Sequence, residues 1–192
     1  MKKQAEALMP TPWGNFTMSA YTDNPKDKMP HIALVHESAD KSKPLLVRIH
    51  SECLTGDLFS SNRCDCGEQL ERALELAAEK GGAVIYLRQE GRGIGIINKL
   101  KAYNLQDKGY NTADANAHLG LPIDDRNYDL VEEILLDLGI KSIHLLTNNP
   151  LKIKAMEASK IEVASRVPLI IPAKKENEFY LRTKSELMGH LF

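Results

Sequence analysis

Apolar and polar positions change period several times along this chain. In "KPLLVRIH", residues 43–50, apolar and β-branched residues follow a proline and predict a strand. Beyond a polar loop, Leu70, Ala73, Leu74, Ala77 and Ala78 recur at helical spacing, and Gly81 and Gly82 supply the stop. "AVIYL" (83–87) reads as a short buried strand, and "RQEGRGIGIINKLKAYNLQDKG" as a glycine-rich loop entering a helix. The alternation continues with an amphipathic helix in "YDLVEEILLDLG" (128–139), a strand in "SIHLL" (142–146) and a turn, "TNNP", into a helix near Pro150. Strands alternating with helices predict an α/β fold, a mixed sheet with helices packed on its faces. Upstream, "NFTMSAYT" and "HIALVHE" predict antiparallel edge strands around the loop "TDNPKDKMP", which makes the N-terminal part richer in β. The length, 192 residues, predicts a single domain over 1–192, with 1–43 its least legible part.

Composition narrows the setting. With 43% hydrophobic and 27% charged residues the chain belongs with ordinary globular proteins, not disordered ones. A formal net charge of −1, both signs intermixed, gives no basic footprint for nucleic acid, so an anionic ligand must be met by local positive charge. No apolar run approaches the roughly 20 residues of a membrane span, and "MKKQAEALMP" lacks the apolar core of a signal peptide. The expected location is the cytoplasm, with no membrane partner.

The 3 cysteines, Cys53, Cys64 and Cys66, all lie in "SECLTGDLFSSNRCDCGEQL", residues 51–70. An odd count in a reducing compartment argues against disulfides. A turn through Asp65 can aim two thiolates at one point, and three thiolates suit zinc with a fourth position left for water. Two other readings stand beside this one. Cysteine is often a small buried hydrophobe, although these three sit among Ser51, Glu52, Asp57, Asn62, Arg63 and Asp65 and not on an apolar stripe. A closed structural site completed by His50 is also allowed by the spacing.

Polar loops after strands and before helices are where side chains and helix N-termini converge on ligands. "RQEGRGIG" sets Arg88 and Arg92 around Glu90; arginine forks suit phosphate, and a carboxylate can accept paired N–H donors from a guanine edge. It is neither a P-loop nor a dinucleotide fingerprint, and alone it reads more simply as a glycine-rich turn. In "LLTNNPLK", Asn149 can cap the helix with Pro150 at its first position, while Thr147 and Lys152 could face an anion. "HLGLPIDDRNY" (118–128) crowds Asp124, Asp125 and Arg126 together, either as a solvated turn favouring a helix dipole or as a base near the metal. Tyr103, taken alone, reads more simply as a half-buried helix aromatic than as a catalytic group.

Seven blocks, "RIHSECLTGD", "RCDCGEQLE", "RQEGRGIG", "LQDKGYNT", "DDRNYD", "LLTNNPLK" and "KSELMGHL", resemble GTP cyclohydrolase II of riboflavin biosynthesis, in the same order and with similar spacing. The resemblance runs from about residue 10 to the C-terminus and implies the stand-alone form, without the dihydroxybutanone phosphate synthase domain that precedes it in fused relatives. It implies that GTP and water give formate, diphosphate and 2,5-diamino-6-(5-phosphoribosylamino)pyrimidin-4-one. By that resemblance Cys53, Cys64 and Cys66 hold zinc, whose water attacks C8 of the guanine ring. GTP contacts fall on Arg48, Ile49, His50, Ser51, Glu52, Gln69, Glu90, Gly91, Arg92, Thr112, Thr147 and Lys152. Asp124 matches the family's proton acceptor, Arg126 its nucleophile towards the α-phosphate, and Tyr103 a tyrosine near base and metal. Magnesium with the triphosphate and a homodimer are also implied. Leu151 stands where relatives often carry a basic residue.

Physical chemistry weighs these roles differently. Three thiolates on a dication leave a net charge of −1, so bound water is acidified less than in neutral-ligand sites, and a base nearby gains importance. A nucleophilic arginine is harder to accept, because guanidinium stays protonated. The expected role of Arg126 is to stabilise charge on the phosphate being cleaved.

Overall fold

A computed structural model describes residues 1–191, with the side chains of residues 112, 113, 187 and 188 outside the description. The strands are β1 (Lys3–Thr11), β2 (Gly14–Tyr21), β3 (His31–His36), β4 (Leu45–Ser51), β5 (Ala83–Leu87), β6 (Ser142–Leu146) and β7 (Glu162–Val167). They form one seven-stranded mixed sheet in the order β1-β2-β3-β5-β4-β6-β7. The first three strands and the β3–β5 pair are antiparallel, whereas β5, β4, β6 and β7 run parallel. The expected α/β class, with its β-rich N-terminal part, is what the chain adopts.

The helices are α1 (Leu54–Asp57), α2 (Cys66–Lys80), α3 (Gly95–Gln106), α4 (Thr112–His118), α5 (Leu130–Asp137), α6 (Pro150–Glu157) and α7 (Glu178–Met188), with a 3-10 turn at Glu90–Gly93. Side chains of β4 alternate between two cores. Leu45, Val47 and Ile49 pack with Val131, Ile134 and Met156 of α5 and α6. Leu46 packs on the other face with Ala73 and Ala77 of α2. Val47, Ile49, Ile85 and Leu87 have no exposed surface, and full burial of each such side chain stabilises the fold by roughly 1.5–3 kcal/mol.

Arg48 and His50 follow Leu46 on its face of β4, since successive side chains point to opposite faces. The chain leaves β4 for its neighbour β5, whereas β6 hands over to β7 in the opposite direction along the sheet. Ligands gather outside the carboxyl ends of strands at such a reversal. The loops after β4, β5 and β6 are the three that the sequence marks as polar.

Candidate functional site

The loop after β4 folds into the four-residue α1 and returns to open α2 at Cys66. This brings the sulfurs of Cys53, Cys64 and Cys66 within 4.8 Å of one another. Close approach needs Gly56: a Cβ there would lie 2.8 Å from Cys64 Sγ and 3.0 Å from Cys66 Cβ. The cysteines are unpaired. Cys53 Sγ and Cys64 Sγ are 3.6 Å apart, and metal–sulfur bonds of about 2.3 Å in a tetrahedron set neighbouring sulfurs about 3.8 Å apart. The group could therefore hold a metal ion, and its all-sulfur donor set fits zinc.

Without a metal the three thiols perturb one another in opposite directions. Hydrogen bonds from Cys64 and then Cys66, with Lys99 beyond them, hold Cys53 far below the ordinary thiol range. Its hydrogen bond to Cys53 pushes Cys64 up to about 11, and the same effect drives Cys66 well above 9.0. A divalent cation draws all three into the thiolate form.

His50 is not one of this group; among the described residues no histidine joins the three sulfurs. Its Nε2 lies 3.1 Å from Asp57 Oδ1, and the ring stacks on Tyr86 at 5.4 Å. Asp57 Oδ2 also accepts the Cys53 backbone N–H at 2.9 Å and the Tyr86 hydroxyl at 2.8 Å. The closed Cys3His arrangement thus lacks its fourth ligand. Burial holds the His50 imidazole below its ordinary value, so it is neutral near pH 7.

The sulfurs open into a cavity that encloses about 1100 Å³ of space, including its mouth. Arg48, His50, Ser51, Glu52, Gln69, Glu90, Gly91, Arg92, Tyr103, Arg126, Thr147 and Lys152 all line it. Ile49 turns its side chain into the apolar core and offers its carbonyl, which accepts from Lys152 Nζ at 2.8 Å. Thr112 opens α4, but its side chain lies outside the described residues. Arg88, which the sequence pairs with Arg92, donates to Glu52 Oε1 at 2.7 Å and is not among the lining residues. Among the described residues, buried Arg48 Nε, His50 Nδ1 and Arg92 Nη2 have no hydrogen-bond partner. Such atoms are costly unless a ligand or water meets them. Arg92 adopts φ 62°, the left-handed region disfavoured for side-chain-bearing residues, and its carbonyl accepts the Asp125 N–H at 3.0 Å.

Arg126 and Asp124 form a two-pronged pair. Arg126 Nε donates to Asp124 Oδ1 at 2.8 Å and Nη2 donates to Oδ2. Burial, the largest single influence, opposes the Arg126 charge, yet its hydrogen bond to Asp124, with Tyr128 and the Asp124 carboxylate close by, raises it above the usual 12.5. Burial likewise works against the Asp124 carboxylate, but Arg126 holds it below its ordinary value. Arg126 lines the cavity, with Asp124 occupied at its flank. Tyr103 meets Thr55 Oγ1 at 3.5 Å, which in turn lies 3.6 Å from Cys53 Sγ. Burial pushes its phenol up to about 12.

Several lining residues have no separate signal in the sequence. Lys99 of α3 and Lys184, Tyr180 and His190 of the C-terminal segment line the same cavity. Both lysines lie four positions from a lining tyrosine, Lys99 before Tyr103 and Lys184 after Tyr180, so each pair shares one helix face. Buried Asp65 ties this segment to the cysteine loop by accepting Gln69 Nε2 at 2.5 Å and Lys184 Nζ at 2.7 Å. Gln69 Oε1 accepts Arg48 Nη2 at 2.6 Å.

With this geometry in place, comparison with known proteins is direct. The family model described as GTP cyclohydrolase II matches residues 2–168. "GTP cyclohydrolase-2" of Shewanella oneidensis is 51% identical over 192 residues, covering 100% of this chain and 94% of that protein. "Riboflavin biosynthesis protein RibBA" of Bacillus cereus is 51% identical over 190 residues, but the match spans 48% of its length. A solved two-domain 3,4-dihydroxy-2-butanone 4-phosphate synthase from A. baumannii matches 89% of this chain at 19% identity and TM-score 0.48, a likeness too weak to inform the site. Full-length identity at this level, together with the family model, leaves one assignment: the chain belongs to the GTP cyclohydrolase II family.

Proposed function

We propose that this chain is the zinc-dependent hydrolase that opens the imidazole ring of GTP. It releases formate and diphosphate and forms 2,5-diamino-6-(5-phosphoribosylamino)pyrimidin-4-one, the first step of riboflavin biosynthesis. What carries the proposal is one juxtaposition: the three-sulfur group and the cations Arg48, Arg92, Arg126, Lys152 and Lys184 line the same cavity. Bound through Cys53, Cys64 and Cys66, zinc would supply a Lewis acid that activates water, with a nearby base sharing its deprotonation.

The chain's own residues supply the rest. Lys152, Arg48 and Arg126 compensate the triphosphate, which brings its own magnesium, since that ion keeps most of its waters and binds through phosphate oxygens. Glu90, beside the sulfurs, is the carboxylate for the guanine edge. Arg126 stays protonated and stabilises charge at the α-phosphate, because a guanidinium clamped on a carboxylate has no free pair for attack. When Arg126 turns to the phosphate it releases Asp124, whose carboxylate then accepts a proton. Tyr103, protonated at neutral pH, donates near the metal. Thr147 and Gln69 position the ligand, and Thr112 belongs to the same set by family resemblance. The working unit is a cytoplasmic homodimer with GTP as its small-molecule partner, and neither nucleic acid nor membrane takes part. Among the described residues no helix is long and apolar enough to cross a membrane.

Incubation of the purified protein with GTP, zinc and magnesium tests this reading. Formate and the pyrimidine product are expected in equal amounts. Tight GTP binding without formate would instead support a nucleotide-binding protein with a structural metal.

A further inference from the structure

Lys99 is a buried cation that none of these steps uses. It is 9% exposed, and its Nζ donates to Cys53 Sγ at 3.1 Å and to Glu90 Oε1 at 2.9 Å. The other oxygen of Glu90 accepts the Leu54 N–H at 2.6 Å, immediately after Cys53. One ammonium group therefore joins a sulfur of the metal-binding group to the carboxylate that faces the ligand, and the backbone closes the ring.

A three-thiolate site around a dication has one excess negative charge, which weakens the metal as a Lewis acid. A cation at hydrogen-bond distance from one sulfur offsets that charge and withdraws density from that ligand; groups bonded to ligands tune a metal in this way. Sulfur bound to a metal keeps lone pairs, so the N–H···S contact is compatible with ligation. We propose that Lys99 is a charge-compensating positioning residue: it offsets the anionic three-thiolate group through Cys53 and holds Glu90 in register with it. This inference rests on the zinc-hydrolase reading.

Cobalt(II) in place of zinc gives a direct test, because the energy of the sulfur-to-cobalt charge-transfer band rises when the sulfur is stabilised by a nearby cation. The wild-type, Lys99→Met and Lys99→Arg proteins are loaded with cobalt, and their folding is checked by circular dichroism. Lys99→Met is expected to move the band to longer wavelength and to lower formate production by about 10–100-fold, and Lys99→Arg to keep the band near its wild-type position. A folded Lys99→Met with an unmoved band overturns the proposal, as does a Lys99→Arg band displaced as far as that of Lys99→Met. If Lys99→Met does not fold, Lys99→Gln is judged by the same criteria, and if neither folds, a Lys99→Arg band displaced from the wild-type position overturns the proposal. Wild-type protein that takes up neither metal, or makes no formate with zinc bound, defeats the zinc-hydrolase reading itself. Formate from the wild type beside an unmoved Lys99→Met band defeats the role of Lys99 alone.

Discussion

Lys184 donates to Asp65 Oδ1 at 2.7 Å across 119 positions of the chain, joining the last helix to the residue between two of the three cysteines. Asp65 is 1% exposed and Lys184 9%. Burial, the largest effect, opposes the Lys184 charge, but Tyr180 and Asp65 outweigh it and raise its value above 10.5. Breaking a buried pair from one side leaves an uncompensated charge, which costs about 3–5 kcal/mol. Lys184→Met is therefore expected to lower unfolding free energy by about that amount in urea titrations, and Lys184→Met with Asp65→Asn to recover part of it. A loss below about 1 kcal/mol, typical of exposed pairs, would show that water screens the contact.

Gly56 makes a second prediction, aimed at the sulfurs. A methyl at this position would sit 2.8 Å from Cys64 Sγ, so the sulfur has to move for Gly56→Ala to fold. Weaker zinc retention is expected, read as a lower chelator concentration for half-removal, and formate production should fall in parallel. Cys64→Ser removes the ligand outright and should abolish both. Zinc returned after chelation should restore activity to the wild type and not to Cys64→Ser. Unchanged retention in Gly56→Ala would mean that the loop absorbs the methyl without moving its sulfurs.

Three of the four parallel strands, β4, β5 and β6, are written in the sequence with little ambiguity. "AVIYL", an apolar run between Gly82 and Arg88, and "SIHLL", which follows a helix stop at Gly139, are both strands at those positions. Asn149 and Pro150 begin α6 as their residue types predict, with Asn149 Oδ1 accepting the Leu151 N–H at 2.8 Å. β1 and β7 carry no comparable signal, because edge strands bury little: β1 is exposed over most of its length. Cys53, Cys64 and Cys66 are legible as a set because sulfur spacing within one loop is local information. Lys99, Lys184 and Asp65 are not, since what distinguishes them from surface charges is burial against partners that include Glu90, Cys53 and each other, 9 to 119 positions apart.

Arg126 separates covalent from electrostatic catalysis. Its guanidinium is fixed on Asp124 through Nε and Nη2, and the pair keeps it charged. Loss of one preorganised donor costs about 10²–10³-fold in kcat. Arg126→Ala should fall at least that far, whereas Arg126→Lys, keeping a point charge without the fork, should lose less. Acid-free quenching with mass spectrometry should find no phosphoramidate at position 126 during turnover, and its detection would sink the electrostatic role.

Lys152 couples phosphate binding to protons. Its ammonium group is held well below 10.5, first by burial and then by repulsion from Arg48, Arg126 and Lys184. A folded value below the unfolded one means that the unfolded chain binds the proton more readily. Stability from this group therefore rises with pH towards 10.5 and is lost as pH falls through the folded value. A polyphosphate set among these cations reverses the repulsion and raises the folded value again. Between the lowered folded value and the ordinary lysine value, binding of inorganic tripolyphosphate should take up a proton at Lys152. Titration calorimetry in buffers of different ionisation enthalpy measures that uptake. The enthalpy should vary with buffer in the wild type, and the variation should shrink in Lys152→Met. An enthalpy that is the same in every buffer means that Lys152 is already charged before the anion arrives.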